Sequence, residues 1–168
     1  MRGRKKASLM IILTFVIAIA FIIFPEENPG DLAGPYPVIR VVDGDTIVVD
    51  IAGEQNKVRL IGVDTPESVH PNPSRNVPYG KISSEFTRNA MEGKLVYLEY
   101  DVEPTDQYGR ILAYVWLDGV MFNKTLLTEG HAVLATYPPN VRYVDEFTQL
   151  QTKARADGKG LWADTPYE

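Results

Sequence analysis

The chain has 168 residues, 45% of them hydrophobic and 23% charged, which is typical of one globular domain with room for appendages. It contains no cysteine, which excludes disulfides, thiolate metal sites, cysteine nucleophiles and a lipid-modified cysteine anchor. The net charge is −5, and a basic N-terminal head holds four of the 17 basic residues, leaving 13 against 22 acidic residues. Since proteins that coat nucleic acid carry a basic face, a polyanion would here need a local basic cleft or a bound cation.

The first 37 residues are predicted to lie apart from the fold. A basic head, Met1–Lys6, precedes an apolar run, Leu9–Phe24, whose helical length of about 24 Å is somewhat short of a bilayer core. The charge bias places the N-terminus in the cytoplasm and the domain outside. The pattern favours a signal anchor that holds the membrane through residues 9–24 over a cleaved signal peptide, which would give a secreted protein. Four prolines in Pro25–Pro37 predict an extended tether.

The remaining chain, 38–168, alternates short β-branched runs with turn residues, and amphipathic helical stretches interrupt or follow them. The predicted elements are strands at Val38–Val42, Thr46–Ile51, Lys57–Val63, Leu95–Tyr100 and Ile111–Leu117, and helices at Gly80–Met91, Lys124–Glu129 (capped by Asn123) and Tyr143–Ala156. The first three strands form an antiparallel meander. We therefore expect a mainly β, α+β domain, a five-stranded OB-fold barrel with three helices, preceded by the membrane-spanning or signal segment.

Two aspartates flank the strands of this meander. Asp45 opens the second strand and Asp64 closes the third, so both can reach the same end of the sheet. Two carboxylates repel there unless a cation or protons intervene, and oxygen ligands without His or Cys suit Ca²⁺ or Mg²⁺. By spacing alone, Asp43-Gly44 could equally be a hairpin turn and Asp64-Thr65-Pro66 a simple strand stop.

Arginine chemistry favours a functional site. Arg59 lies among apolar neighbours, where a charge is costly unless it is paired, and Arg110 stands at the mouth of the fifth strand. A guanidinium can grip a phosphate with two parallel hydrogen bonds. With a metal ion and Glu67 as proton acceptor, the set could cleave a phosphodiester. The alternative for each arginine is a surface salt bridge.

The motifs in their order resemble the staphylococcal (micrococcal) nuclease, or thermonuclease, family. They are Asp43-Gly44-Asp45-Thr46, then Arg59 to Glu67 (RLIGVDTPE), Tyr108-Gly109-Arg110 and Gly160-Leu161-Trp162. The resemblance covers about Val38 to Trp162. It implies an OB-fold barrel and calcium-dependent cleavage of DNA and RNA, by endonuclease and exonuclease action and in-line attack of water, to products ending in 3′-phosphate. We expect a monomer.

Carried over by position, the resemblance implies a role for each motif residue. Asp45 and Asp64 would bind calcium through their carboxylates, Thr65 through its backbone carbonyl, and Asp43 through water. Arg59 and Arg110 would hold the scissile phosphate, and Glu67 would orient or deprotonate the water. Tyr108 and Tyr137 would line the nucleotide pocket.

Two positions depart from the family pattern. Gln107 stands where a lysine contacts a terminal phosphate, and Ala135 stands where a further tyrosine lines the base pocket. Both changes affect binding, so we expect altered substrate binding with the chemistry intact.

Two other function classes explain part of the sequence. A non-catalytic OB-fold module on a membrane tether could bind nucleic acid, but it has no need of the acidic and arginine residues together. A calcium-stabilised envelope protein explains the acids but not the paired arginines.

Overall fold

A computed structural model describes residues 31–67 and 78–163, and the apolar run at 9–24 lies outside them. The described elements are β1 (Leu32–Asp43), β2 (Thr46–Ile51), β3 (Glu54–Leu60), β4 (Val63–Asp64), α1 (Pro78–Met91), β5 (Leu95–Glu99), β6 (Ile111–Leu117), β7 (Val120–Met121), α2 (Phe122–Thr128), β8 (Val133–Leu134), α3 (Val144–Ala156) and a 3₁₀ turn (Gly160–Trp162). Among the described helices, none is long and apolar enough to cross a membrane.

Five strands close into a barrel. The sheet runs in the order β3-β2-β1-β5-β6-β7, and parallel pairing of β3 with β6 joins its ends, with Val58 opposite Ile111. The long strand β1 bends at register shifts and pairs with β2 through one half and β5 through the other. The predicted closed five-stranded barrel with three helices is confirmed, and closure leaves no open edge along these strands.

Apolar side chains of the strands and of α2 and α3 fill one continuous core. Ile47 and Val49 of β2, Leu60 of β3, Leu126 of α2 and Phe147 of α3 are all 1% exposed or less. Burying side chains of this kind contributes about 1.5–3 kcal/mol each. The core therefore fixes the ends of β2 and β3, where the candidate site lies.

Two predicted strand boundaries are wrong. β1 begins at Leu32 instead of Val38, so residues 32–37, assigned from their prolines to the tether, instead pair with β5. The predicted third strand, Lys57–Val63, is two strands, because the chain turns at Gly62 with a φ of 79°. This turn reverses the chain and brings Asp64 back towards Arg59.

Asn123 does not cap α2, contrary to the prediction. The helix begins at Phe122 without a side-chain cap, and Asn123 is fully buried. Its Oδ1 accepts a hydrogen bond from the Val115 amide at 2.9 Å, and its Nδ2 donates to the Ile61 carbonyl at 2.8 Å. Asn123 therefore satisfies buried backbone groups of the barrel instead of those at the helix terminus.

Candidate active site

The side chain of Arg59 lies between two carboxylates. Its Nη1 is 2.7 Å from Oδ2 of Asp45, its Nη2 is 2.7 Å from Oδ1 of Asp64, and Nη1 also donates to the Val63 carbonyl at 2.9 Å. Strand pairing produces this arrangement, because Thr46 at the start of β2 is opposite Arg59 near the end of β3. The sequence left open whether Arg59 forms a salt bridge or belongs to a functional site. Arg59 is salt-bridged, and its partners are the two candidate metal ligands.

Asp45 is held rigidly. Its side chain is 8% exposed, and Oδ2 accepts hydrogen bonds from the Thr65 amide at 2.8 Å and the Thr65 hydroxyl at 3.1 Å. Oδ1 accepts the Thr46 hydroxyl at 2.9 Å. A Cβ on Gly44 would lie 2.7 Å from the Thr65 hydroxyl oxygen, so only glycine lets the turn approach so closely. The Asp45 carboxylate is thus oriented before any ligand binds.

The pKa of Asp64 is raised above its ordinary value, chiefly by partial burial. Its side chain is 52% exposed. Partial burial raises the pKa of Asp64, the charges of Asp45 and Asp43 raise it further, and Arg59 opposes the shift. The charges of Asp45 and Asp43 act in the same direction as burial, so a cation beside Asp64 would favour its ionised form.

The donor set fits a hard divalent ion only in part. Asp45 and Asp64 supply carboxylate oxygens, and Ca²⁺ takes 6–8 oxygen ligands. Within residues 31–67 and 78–163, no three His, Cys, Asp or Glu side chains are grouped closely enough to hold a metal. Backbone carbonyls such as that of Thr65, together with water, would have to complete the shell.

Arg110 lines the same cavity as Arg59. Its Nε is 2.7 Å from Oδ2 of Asp106, whose other oxygen accepts the Arg110 and Tyr108 amides at 3.0 and 2.9 Å. Burial alone would raise the pKa of Asp106, but the hydrogen bonds from Arg110 and Tyr108 lower it below its ordinary value. Asp106 is therefore ionised at neutral pH and orients Arg110.

Arg59 and Arg110 both line this cavity, whose volume is about 560 Å³. Tyr108 and Tyr137 also line it and are 76% and 69% exposed. The Arg110 guanidinium carbon lies 5.6 Å from the centre of the Tyr108 ring. Two guanidinium groups and two accessible aromatic rings in one cavity match the chemistry of a phosphate with attached bases.

Other predicted site residues do not line the cavity. Asp45 and Asp64 contact Arg59, Thr65 contacts Asp45, and Glu67 is half-buried at the end of the described segment 31–67. Gln107 lines the cavity and Ala135 does not, although the Ala135 amide donates to the carbonyl of Gly62, a lining residue, at 3.1 Å.

The sequence did not predict the hydrogen bonds of Asn140 and Glu99. Asn140 lines the cavity together with Tyr137. Asn140 accepts from the Glu103 amide through Oδ1 and donates to the Glu103 carbonyl through Nδ2, both at 2.8 Å. The buried carboxylate of Glu99 accepts from Arg142 at 2.6 Å and from the Tyr143 hydroxyl at 2.8 Å. Glu99, an acid within the predicted fourth strand, was the one signal in the sequence. The contacts themselves join segments about 40 residues apart, so local patterns do not predict them.

Comparison with known sequences identifies relatives of this chain. The sequence model described as "Staphylococcal nuclease homologue" matches residues 57–164. The chain is 43% identical to the thermonuclease of Staphylococcus hyicus over 163 residues, which covers 93% of this chain and 96% of that protein. The chain belongs to the staphylococcal nuclease family. The matched range contains Arg59, Asp64, Glu67 and Arg110, and it begins after Asp45.

Two further proteins match over most of this chain. The thermonuclease of Staphylococcus intermedius is 45% identical over 160 residues, covering 90% of this chain and 95% of that protein. Endonuclease YncB of Bacillus subtilis (strain 168) is 40% identical over 130 residues, covering 76% of this chain and 61% of YncB. The resemblance predicted from the motifs is confirmed over most of the chain.

Proposed function

We propose that this chain is a calcium-dependent nuclease that hydrolyses phosphodiester bonds in DNA and RNA, leaving 3′-phosphate ends. Its near full-length similarity to named thermonucleases supports nuclease activity. The observation that most supports the chemistry is the Arg59 guanidinium, which is bonded to Asp45 and Asp64 and lines the same cavity as Arg110.

In this proposal the two arginines bind the scissile phosphate. Arg59 and Arg110 both line the cavity, and guanidinium donors there would stabilise the charge that builds on the phosphate in the transition state. Asp106 keeps Arg110 aimed at the cavity through its 2.7 Å ion pair. Tyr108 and Tyr137 provide faces on which neighbouring bases stack.

Asp45, Asp64 and the Thr65 carbonyl would hold calcium in this proposal. Bound Ca²⁺ would polarise a phosphate oxygen and offset the negative charge of the carboxylates. Arg59, which is bonded to the same two carboxylates, would lie beside that ion and would donate to the phosphate. Glu67 would accept the proton from the attacking water.

The proposed site of action is outside the cytoplasm. The basic head and apolar run at residues 1–24 support either a membrane-anchored or a secreted enzyme. Treating intact cells with a protease that cannot enter them, followed by blotting for the nuclease domain, would test this. A domain protected until the cells are broken would contradict the proposal.

Incubation of the full chain with supercoiled plasmid, with calcium or with excess chelator, tests the activity. We expect nicked and linear plasmid with calcium and intact plasmid with chelator. A retarded plasmid band without strand breaks would instead favour the non-catalytic nucleic-acid-binding module. Cleavage that survives chelation would contradict calcium dependence.

A further inference from the structure

Glu103 is an acidic residue in the wall of the arginine cavity. It lies in the connection between β5 and β6, and its backbone is fixed on both sides by the side chain of Asn140, which also lines the cavity. Glu103 itself is exposed. These two bonds hold the Glu103 backbone at the cavity wall, and its exposed side chain extends from there.

The cavity wall has no excess of positive charge. Its charged lining residues are Arg59, Arg110, Glu103 and Asp106, two of each sign. Arg59 and Arg110 are both ion-paired, whereas the Glu103 carboxylate makes no ion pair with the described part of the chain. Gln107, beside these residues in the wall, is neutral.

This balance distinguishes between two kinds of phosphate. An internal phosphodiester carries one negative charge, whereas a terminal phosphate monoester carries about −1.5 to −2 at neutral pH. A single phosphodiester adds one negative charge beside the two ion-paired arginines. A second, more highly charged group on the Glu103 side of the cavity meets an uncompensated carboxylate and a neutral amide instead of a cation.

We propose that Glu103 is a specificity-determining residue that disfavours terminal phosphate monoesters, so that the enzyme prefers internal bonds and unphosphorylated ends. The inference rests on the proposed nuclease function. The preferred substrates are then nucleic-acid strands in which no terminal phosphate lies close to the cleaved bond. Repulsion between the carboxylate and the added charge, across a partly solvated cavity, should disfavour such substrates about fivefold.

Short oligonucleotides of one sequence test the proposal directly. Four versions carry phosphate or hydroxyl at the 5′ or 3′ end, and kcat/KM is measured at each bond with the full chain and calcium. We expect cleavage next to at least one phosphorylated end to be about fivefold slower than next to the same end as a hydroxyl. Glu103→Gln should bring that ratio close to one, and Glu103→Lys should invert it.

Glu54→Gln is the matched control. It removes the same charge from an exposed residue at the far end of the β2–β3 hairpin, about 17 Å along β3 from Arg59. It should keep the wild-type ratio. Added salt should weaken the wild-type preference, because a charge effect is screened and a shape effect is not.

The outcomes separate this inference from the function on which it rests. Cleavage with an unchanged end preference in Glu103→Gln, or a wild-type preference for phosphorylated ends, overturns the role of Glu103 alone. A wild-type protein that cleaves none of the four substrates overturns the nuclease function and the inference with it.

Discussion

At the scale of single residues, the site is organised by the partners of its arginines. Arg59 is 14% exposed and bonded to two carboxylates and a carbonyl, and Arg110 is bonded to Asp106. Burying an arginine costs free energy unless its donors are satisfied. The acids therefore do two things: they allow the guanidinium groups to be positioned without substrate, and they limit the net positive charge.

Replacing either arginine should reduce the rate of cleavage. Arg59→Ala or Arg110→Ala removes a charged donor to the phosphate, which typically costs about 10²–10³-fold in kcat. Arg110→Lys should also be impaired, because an ammonium cannot form the two parallel hydrogen bonds of the planar fork.

Steady-state kinetics on a labelled duplex measure these losses. Arg88→Ala is a suitable control, since Arg88 lies on α1 with its side chain 45% exposed and pairs only loosely with Glu92 at 3.7 Å. Near wild-type turnover in an Arg59 or Arg110 variant would remove that residue from the mechanism.

At the scale of secondary-structure elements, the turn between β3 and β4 builds the site. Gly62 has a φ of 79°, and a Cβ there would lie 2.6 Å from the ring of Phe147 in α3. The chain reverses at this point, so Asp64 faces Arg59 from the next strand. The sequence did not predict this turn, because Val, Leu and Ile on both sides of Gly62 gave residues 58–63 the pattern of one continuous strand.

Gly62→Ala should destabilise the protein by about 2–4 kcal/mol, because it combines backbone strain with overpacking against Phe147. Urea unfolding followed by circular dichroism measures the change. Gly53→Ala is the matched control, since Gly53 also has a positive φ of 89° but has no atom within 4 Å of its would-be Cβ. Equal losses in the two variants would show that packing against α3 plays no part.

At the scale of the whole molecule, α1 and the end of α2 are joined through His131. The Tyr79 hydroxyl lies 2.9 Å from Nδ1 of His131, Ser83 donates to the His131 carbonyl at 2.8 Å, and the Phe86 ring lies 4.0 Å from the imidazole. Burial lowers the pKa of His131 below its ordinary value of 6.5, against a smaller opposing effect of Glu129. The neutral imidazole is the form that this packing stabilises.

Stability should therefore depend on pH in a defined direction. As pH falls below 6.5, the unfolded chain binds a proton at His131 before the folded protein does, so the free energy of unfolding decreases. That contribution is regained as pH rises from the lowered folded pKa to 6.5. His131→Gln should flatten the dependence in this window, as measured by melting temperature at successive pH values. An unchanged slope in the variant would exclude His131 as its source.

Much of this architecture could be predicted from the sequence, for physical reasons. β2 and β6 have the bounds expected from their β-branched runs, because turn residues flank both. β1 was predicted too short, since Pro35 and Pro37 are read as a tether although a long strand can accept them next to register shifts. Because Asp45 opens one predicted strand and Asp64 closes the next, the sequence also predicted that both lie at one end of the sheet.

What the sequence could not reveal are contacts between distant segments. The bonds of Asn140 with Glu103, 37 residues away, follow from how loops pack after the barrel closes. Local periodicity carries no information on such pairs. The same holds for the balance of charge in the cavity, which depends on which side chains share it.

The most direct test of the account measures cleavage rate against free calcium in wild type and in Asp64→Asn. Asparagine keeps the shape and can still accept from Arg59, but it removes one of the two anionic ligands. We predict a saturable calcium dependence in wild type and a shift to at least about tenfold higher calcium in the variant, since one lost charge interaction of about 1.4 kcal/mol is tenfold in affinity. A wild-type rate independent of calcium, or identical calcium dependence in the two proteins, would contradict the proposed site.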